Sequence, residues 1–239
     1  MYDGADTAYY LESGYRVVGV EANPALADKL KRRFEGQIAS GQLTCVNAAI
    51  SPYGEPVALT LCGEDLGSSS LFADRVGNNR AIGSVTVQGV ALATLFKQFG
   101  IPKYLKVDIE GADRFCVLSL TTESRPDFLS FEIGDDVDEL LMHAGTLGYT
   151  RFKIINQNSF REFGNIECLY DRVARRLMRA MGYADPLLIR RAERFFVTGH
   201  SSGPVPWQSD GQWRSFDETR SIAGKSGLPG WNDIHATVG

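Results

Sequence analysis

The sequence has no cysteine pair at metal-ligand spacing. Its four cysteines, Cys45, Cys62, Cys116 and Cys168, stand far apart, which argues against a zinc site or a disulfide framework and fits a reducing, cytoplasmic setting. It has no run of about eighteen apolar residues, so no transmembrane helix is expected. No basic stretch followed by an apolar one opens it, so no signal peptide is expected either. Internal repeats and low-complexity tracts are absent. The net charge is only −4, so no global field draws the chain to nucleic acid. Neither G-x-G-x-x-G nor G-x-x-x-x-G-K-[ST] occurs, and a phosphate cradle is therefore poorly supported.

What remains is an ordinary globular composition in 239 residues, 44% hydrophobic and 23% charged. That is enough chain for one α/β domain with additions. The most informative stretch is Tyr104-Leu-Lys-Val-Asp-Ile-Glu-Gly-Ala-Asp113. Residues 104–109 read as a short buried parallel strand ending in acids, and Gly111 gives a sharp exit into a helix over 112–120. Ligands of open α/β sheets bind outside the carboxyl ends of the strands. Asp108 and Glu110 would stand at that edge, unless they only cap the next helix.

The same pattern recurs along the chain. Residues 16–21 read as a strand ending in Glu21. Asn23 and Pro24 then open a helix with Leu26, Leu30 and Phe34 on one stripe. Strands follow at 43–50, with Asn47 and Ala48 near the end, and at 57–62 and 84–90, with a loop holding Ser68, Ser69 and Ser70 between the latter two. Residues 91–99 read as a helix. A strand over 128–133 carries Glu132, Asp135 caps a helix over 137–147, and 150–156 is a further strand. A basic helix at 171–181 and a last strand at 193–198 precede a tail read as loop-dominated. Strands alternating with helices predict a doubly wound, mostly parallel sheet. An acid at the end of an early strand commonly accepts hydrogen bonds from a ribose diol. Acids at several strand ends suit a cationic ligand carrying a ribose, such as S-adenosylmethionine.

These residues carry a resemblance. The sequence resembles the FkbM family of S-adenosylmethionine-dependent methyltransferases in Asp3-Gly-Ala-Asp-Thr7, Val17-Val-Gly-Val-Glu-Ala-Asn-Pro24, Val46-Asn-Ala-Ala-Ile-Ser51 and Ser69-Ser-Leu71. Most specific is Leu105-Lys-Val-Asp-Ile-Glu-Gly-Ala-Asp113, followed by Phe131-Glu132. The likeness covers about residues 1–156, and Ser201-Ser-Gly-Pro204 looks like one branch of the family. It implies a methyltransferase domain over 1–157, of the seven-stranded Rossmann-like type. An extension over 158–239 would complete the sheet and cover the acceptor. It implies methyl transfer to a small-molecule acceptor, a hydroxyl of a sugar or natural product, with glycans and lipid-linked molecules among the candidates. Asp3, Gly4 and Asp6 would approach the methionine end of the cofactor, Glu21 the ribose, Asn47 and Ala48 the adenine, with Ser69 also on the cofactor side. Asp108, Glu110 and Glu132 would be the catalytic set, with Asp108 or Glu132 taking the acceptor proton. Oxygen ligands from Asp108 and Glu132 would suit magnesium, though nothing in the spacing requires a metal.

Two departures stand out. Asp113 occupies a place where the family usually has Glu. More important, only Met1 and Tyr2 precede Asp3, so the central strand and opening glycine of such a fold are missing. The strands at 16–21 and 104–109 would then lose their shared neighbour. The sequence thus predicts a truncated chain, or a start about ten residues upstream on a strand's typical length, with cofactor binding impaired if the short form is real.

Three other readings exist. Gly199-His-Ser-Ser-Gly203 matches a nucleophile elbow, with Asp233 and His235 in hydrolase order, but Pro204 and Pro206 stand where the elbow's helix would run. The arginines at 172, 175, 176, 179, 190, 191 and 194 form a basic region: a solvated face, or a docking surface for an acidic glycan, lipid head group or protein. A binding module with a disabled cofactor site is the non-enzyme alternative.

Overall fold

The computed structural model describes residues 1–63, 66–76, 80–163, 173–174, 176–178, 180–181, 188–191, 193–197, 203–224 and 231–239. The chain divides into two compact units, one of residues 1–101 with 108–120, the other of 102–107 with 121–239.

The first unit begins with α1 (Ala5–Glu12), β1 (Val17–Glu21), α2 (Pro24–Arg33), α3 (Glu35–Ala39) and β2 (Leu43–Asn47). β1 and β2 pair in parallel, Val17 opposite Leu43 and Glu21 opposite Asn47. α2 forms where expected, because Asn23 Oδ1 accepts from the Ala25 amide at 3.0 Å and Pro24 fills the first helical turn. Its buried stripe places Leu30 and Phe34 against Leu11 and Leu43. Residues 43–50 form two strands rather than one. β3 (Ala49–Ile50) turns away from β1 to pair in parallel with β6 (Gly89–Val90).

β4 (Val57–Cys62) and β5 (Ala81–Val87) form an antiparallel hairpin. It encloses a 3-10 turn at Leu66–Ser68 and the short α4 (Ala73–Val76). α5 (Leu92–Phe99) follows β6, and α6 (Asp113–Val117) closes the unit, shorter than the helix expected over 112–120.

The second unit holds β7 (Tyr104–Lys106), β8 (Phe128–Glu132), α7 (Val137–Thr146), β9 (Arg151–Asn156), β10 (Arg161–Glu162), β11 (Leu188–Arg191), β12 (Arg194–Val197), α8 (Phe216–Ala223) and β13 (Asn232–Thr237). Its five-stranded sheet runs β10-β9-β13-β8-β7. Here β7–β8 is parallel and the other pairs are antiparallel. The architecture is therefore mixed α/β, but not the mostly parallel sheet read from the sequence. β13 comes from the tail expected to be loop and inserts antiparallel between β8 and β9, with all six residues buried. Ile234 and Ala236 alternate with Asp233, His235 and Thr237, so only two of the six residues carry an apolar signal.

Three smaller expectations change. β12 pairs with β11 alone among the described residues, so it is no last strand of the main sheet. The residue at the N-cap of α7 is Asp136, not Asp135, and its side chain makes no cap bond. β7 stops at Lys106, with one further ladder bond from the Val107 amide to Ser130 O at 2.8 Å. Glu110 and Gly111 cannot prolong it, because both take positive φ, 53° and 90°. Among the described residues no strand pairs with both β1 and β7. On the edge of β1, the Met1 ammonium donates to Val20 O at 3.1 Å.

Candidate functional site

Glu21 ends β1 with its side chain nearly buried, and its carboxylate is held by main-chain donors. Oε2 accepts from the Met1 ammonium at 3.1 Å and from the Tyr2 amide at 2.9 Å; Oε1 accepts from the Asn23 amide at 2.9 Å. A carboxylate has about four acceptor positions, so one remains, on Oε1. Asn47, opposite Glu21 in the ladder, donates from Nδ2 to Glu21 O at 2.9 Å, and buried Ala48 follows it.

The turn before α1 completes this end of the unit. Asp3 Oδ1 accepts from the Ala5 amide at 2.9 Å, and Arg33 Nη1 donates to Asp3 O. Gly4 has φ 84°, and a Cβ there would lie 2.7 Å from the Phe34 ring, so position 4 excludes a side chain twice over. Asp6 lies in the first turn of α1.

The serine loop reaches the same neighbourhood. A Cβ on Gly67 would lie 2.5 Å from the Tyr2 ring, which places this loop beside the residue that donates to Glu21. Ser69 Oγ accepts from the Cys62 amide at 3.1 Å. Ser70, buried, donates from Oγ to Glu110 O at 2.7 Å and accepts from the Phe72 amide at 3.1 Å. Arg75 covers Gly111, where a Cβ would lie 2.5 Å from its Nε. The loop thus clasps the 108–111 turn at two points. Asp108 is exposed on that turn and Glu110 is half-buried. Beside it, burial raises the Cys116 thiol far above the ordinary range, with Asp113 adding to the effect, and so keeps it inert.

Sequence reasoning missed Ser70, Arg75 and the amides on Glu21. Ser70 was legible only as part of a polar run. Of the residues expected to be catalytic, Asp108 and Glu110 share a unit with Glu21. Glu132 belongs to the other unit, at the end of β8 and opposite Asp233 of β13. Among the described residues no group of three His, Cys, Asp or Glu side chains is placed to hold a metal.

The second unit also contains a set that the sequence did not reveal. Lys106, Ser130, His235 and Lys153 occupy one register row across β7, β8, β13 and β9, and so share a face of the sheet. Ser130 Oγ and Tyr104 Oη lie 2.7 Å apart. Lys153 donates to Ser209 O at 2.9 Å and stands 4.3 Å over the Trp213 ring; burial lowers its pKa to about 8. His235 is 1% exposed, and neither ring nitrogen has a hydrogen-bond partner among the described residues. Burial first, then Lys153 and Lys106, push its pKa down to about 3. Asp233 Oδ1 accepts from Gln157 Nε2 at 2.8 Å, so the imidazole has no carboxylate to orient it as a hydrolase triad requires. Gly199 to Ser202 of the elbow lie outside the described residues, as do Cys168, Arg172, Arg175 and Arg179.

With this geometry in view, comparison with known families is informative. The model of the methyltransferase FkbM domain matches residues 1–149, more than half of the chain. The chain belongs to the FkbM methyltransferase family. The match covers the Glu21 cluster, the serine loop, the 108–113 turn and Glu132, but stops before Lys153 and His235. No curated protein and no solved structure matches the chain. No helix among the described residues is long and apolar enough to cross a membrane.

Proposed function

We propose that the chain transfers a methyl group from S-adenosylmethionine to a hydroxyl oxygen of a small-molecule acceptor, a sugar or natural product. The observation that carries the reading is Glu21: a carboxylate at a strand end, fixed by amides of Tyr2 and Asn23, with one acceptor position left on Oε1. The free acceptor position fits the O–H of a ribose hydroxyl, and the carboxylate's charge suits a cationic nucleoside. The main-chain turn at Asp3, Gly4 and Asp6 would hold the amino-acid end, and Ala48 would border the base. Ser69 contributes through the loop it ties to Cys62.

Bound S-adenosylmethionine supplies an electrophilic methyl group on a sulfonium. The protein's part is to orient an oxygen in line with it and to accept that oxygen's proton, so most of the rate comes from positioning. We assign the proton to Asp108, which shares a unit with Glu21 and is exposed to an incoming acceptor. Glu110 shapes the turn that carries it. Glu132 is the alternative base.

The test follows release of S-adenosylhomocysteine with a panel of hydroxylated acceptors. Asp108→Asn should lower kcat by about two to four orders of magnitude while leaving affinity for the methyl donor unchanged. An unchanged kcat in Asp108→Asn alongside a loss in Glu132→Gln would move the base to Glu132. No product with either the native chain or any acceptor would contradict the reading.

A further inference from the structure

His235 stands in the middle of the second unit's sheet with an unsatisfied imidazole. It is 1% exposed, and neither Nδ1 nor Nε2 has a hydrogen-bond partner among the described residues. Burying a polar ring in this way is costly, and a phenyl ring would fill the place without that cost. Its cross-strand neighbours are Ser130 on β8 and Lys153 on β9, with Lys106 of β7 one strand beyond Ser130. Residues directly opposite bring their Cβ atoms to about 5 Å, so Ser130 and Lys153 flank the imidazole. Both lysines act on its charge.

Every side chain in this row can donate a hydrogen bond, and none is a carboxylate. Lys153 is buried; it has three N–H donors and gives one to Ser209 O at 2.9 Å. Ser130, also buried, shares its 2.7 Å bond with Tyr104 Oη. The acids of this face lie one row away or in the segment that covers it. Asp233 Oδ1 accepts from Gln157 Nε2 at 2.8 Å, Glu162 Oε1 accepts from Arg214 at 2.6 and 2.9 Å, and Asp210 pairs with Arg161 at 3.2 Å. Glu132, half-buried, ends β8 opposite Asp233, and Arg151 is exposed at the other end of the face. The covering segment is 204–213. Its Trp207 ring lies 4.7 Å from Phe128 and edge-on to Tyr104 at 6.1 Å, and its Trp213 ring lies 4.3 Å from Lys153 Nζ. Along the row, exposure rises from His235 to half-buried Lys106, so the β7 edge is the open side.

We propose that His235 and Lys153 hold an oxyanion group, a carboxylate or a phosphate, of a small molecule that enters between this sheet face and the 204–213 segment. The imidazole N–H reaches one oxygen and the remaining Lys153 donors reach another, which makes charge-assisted bonds. A cation is disfavoured by the two lysines. A neutral hydroxyl would satisfy the imidazole but leave the buried ammonium without a counter-charge. An anion beside the ring also favours its protonated form, so binding and proton uptake are linked. The inference does not rest on the methyl-transfer reading, because neither residue belongs to the Glu21 cluster.

The test is NMR of the full chain labelled in its three histidines. Sodium phosphate and sodium acetate are each titrated at one pH against sodium chloride of equal ionic strength. The His235 signal is the one lost in His235→Phe. The expected result is a saturable shift of that signal with an oxyanion and none with chloride. A response to phosphate alone assigns the site to a phosphate group, and a response to acetate alone assigns it to a carboxylate. Lys153→Met, which keeps the stem, should weaken the response about ten- to hundredfold, the range for a hydrogen bond to a charged group. Both variants alter buried positions, so the native chain supplies a second readout: its melting temperature should rise with the same oxyanion and not with chloride. Equal responses to oxyanion and chloride would overturn the inference and leave the imidazole to water alone. A native-like response in folded Lys153→Met would overturn it as well.

Discussion

Glu110 is the residue whose backbone shapes the acidic turn. A non-glycine residue at φ 53° costs about 1–2 kcal/mol relative to ordinary conformations, and it persists only where its surroundings compensate. Ser70 supplies that compensation through its bond to Glu110 O, and Arg75 closes over Gly111. Ser70→Ala should destabilise the protein by about 0.5–1.5 kcal/mol, the net worth of one hydrogen bond to a partly buried carbonyl. It should also lower kcat more than the affinity for the methyl donor. Ser70→Thr, which keeps the hydroxyl, should restore both. Thermal melts and steady-state kinetics on the three proteins check this, and a Ser70→Ala enzyme with native melting and kcat would contradict it. Nothing in the sequence announced the pairing. A serine among three serines looks like loop polarity, and its partner lies forty residues away.

At the level of elements, legibility followed the apolar pattern. α2 could be read because Asn23, Pro24, Leu26, Leu30 and Phe34 are local and mutually consistent. β1, β2, β8 and β9 could be read because their apolar runs are continuous or cleanly alternating. β13 could not: Asn232-Asp-Ile-His-Ala-Thr237 has polar groups at four of its six positions, and the fold nonetheless buries them. The extent of β7 was overread because positive φ at Glu110 leaves no mark in hydropathy.

The polar face of β13 carries its own prediction. His235 is held neutral by burial, with Lys153 and Lys106 opposing its charge. Its pKa in the folded protein therefore lies below the unfolded value. Its contribution to stability is complete above about pH 6.5 and is lost as pH falls from there toward 3. His235→Phe, with no proton to take up, should flatten that acid limb by a few kcal/mol, the order expected from a shift of several units. Urea midpoints measured from pH 7 down to 4 decide it. Parallel limbs for the native and variant proteins would show that His235 does not set the slope. Asp233 and Glu132 on the same face are present in both proteins.

For the molecule as a whole, the family could be read from short motifs even though the sheet built on them could not. Val17–Pro24 and Leu105–Asp113 are local stretches, whereas strand order depends on contacts between residues far apart in the chain, such as Ile234 with Phe131 and Ile154. Of the candidate site, Glu21, Asn47 and the Asp3–Asp6 turn could be inferred from their places at element ends. The amides that hold Glu21, and the clasp on Glu110, arise only when distant segments meet. The central claim is that the Glu21 carboxylate receives the ribose of the methyl donor. Calorimetric titration of S-adenosylmethionine into the native chain and Glu21→Gln tests it most directly. The account predicts saturable binding to the native protein and about a ten- to hundredfold loss in Glu21→Gln, the range for a hydrogen bond to a charged group. Equal affinity in the two proteins, or no heat of binding in the native one, would contradict it.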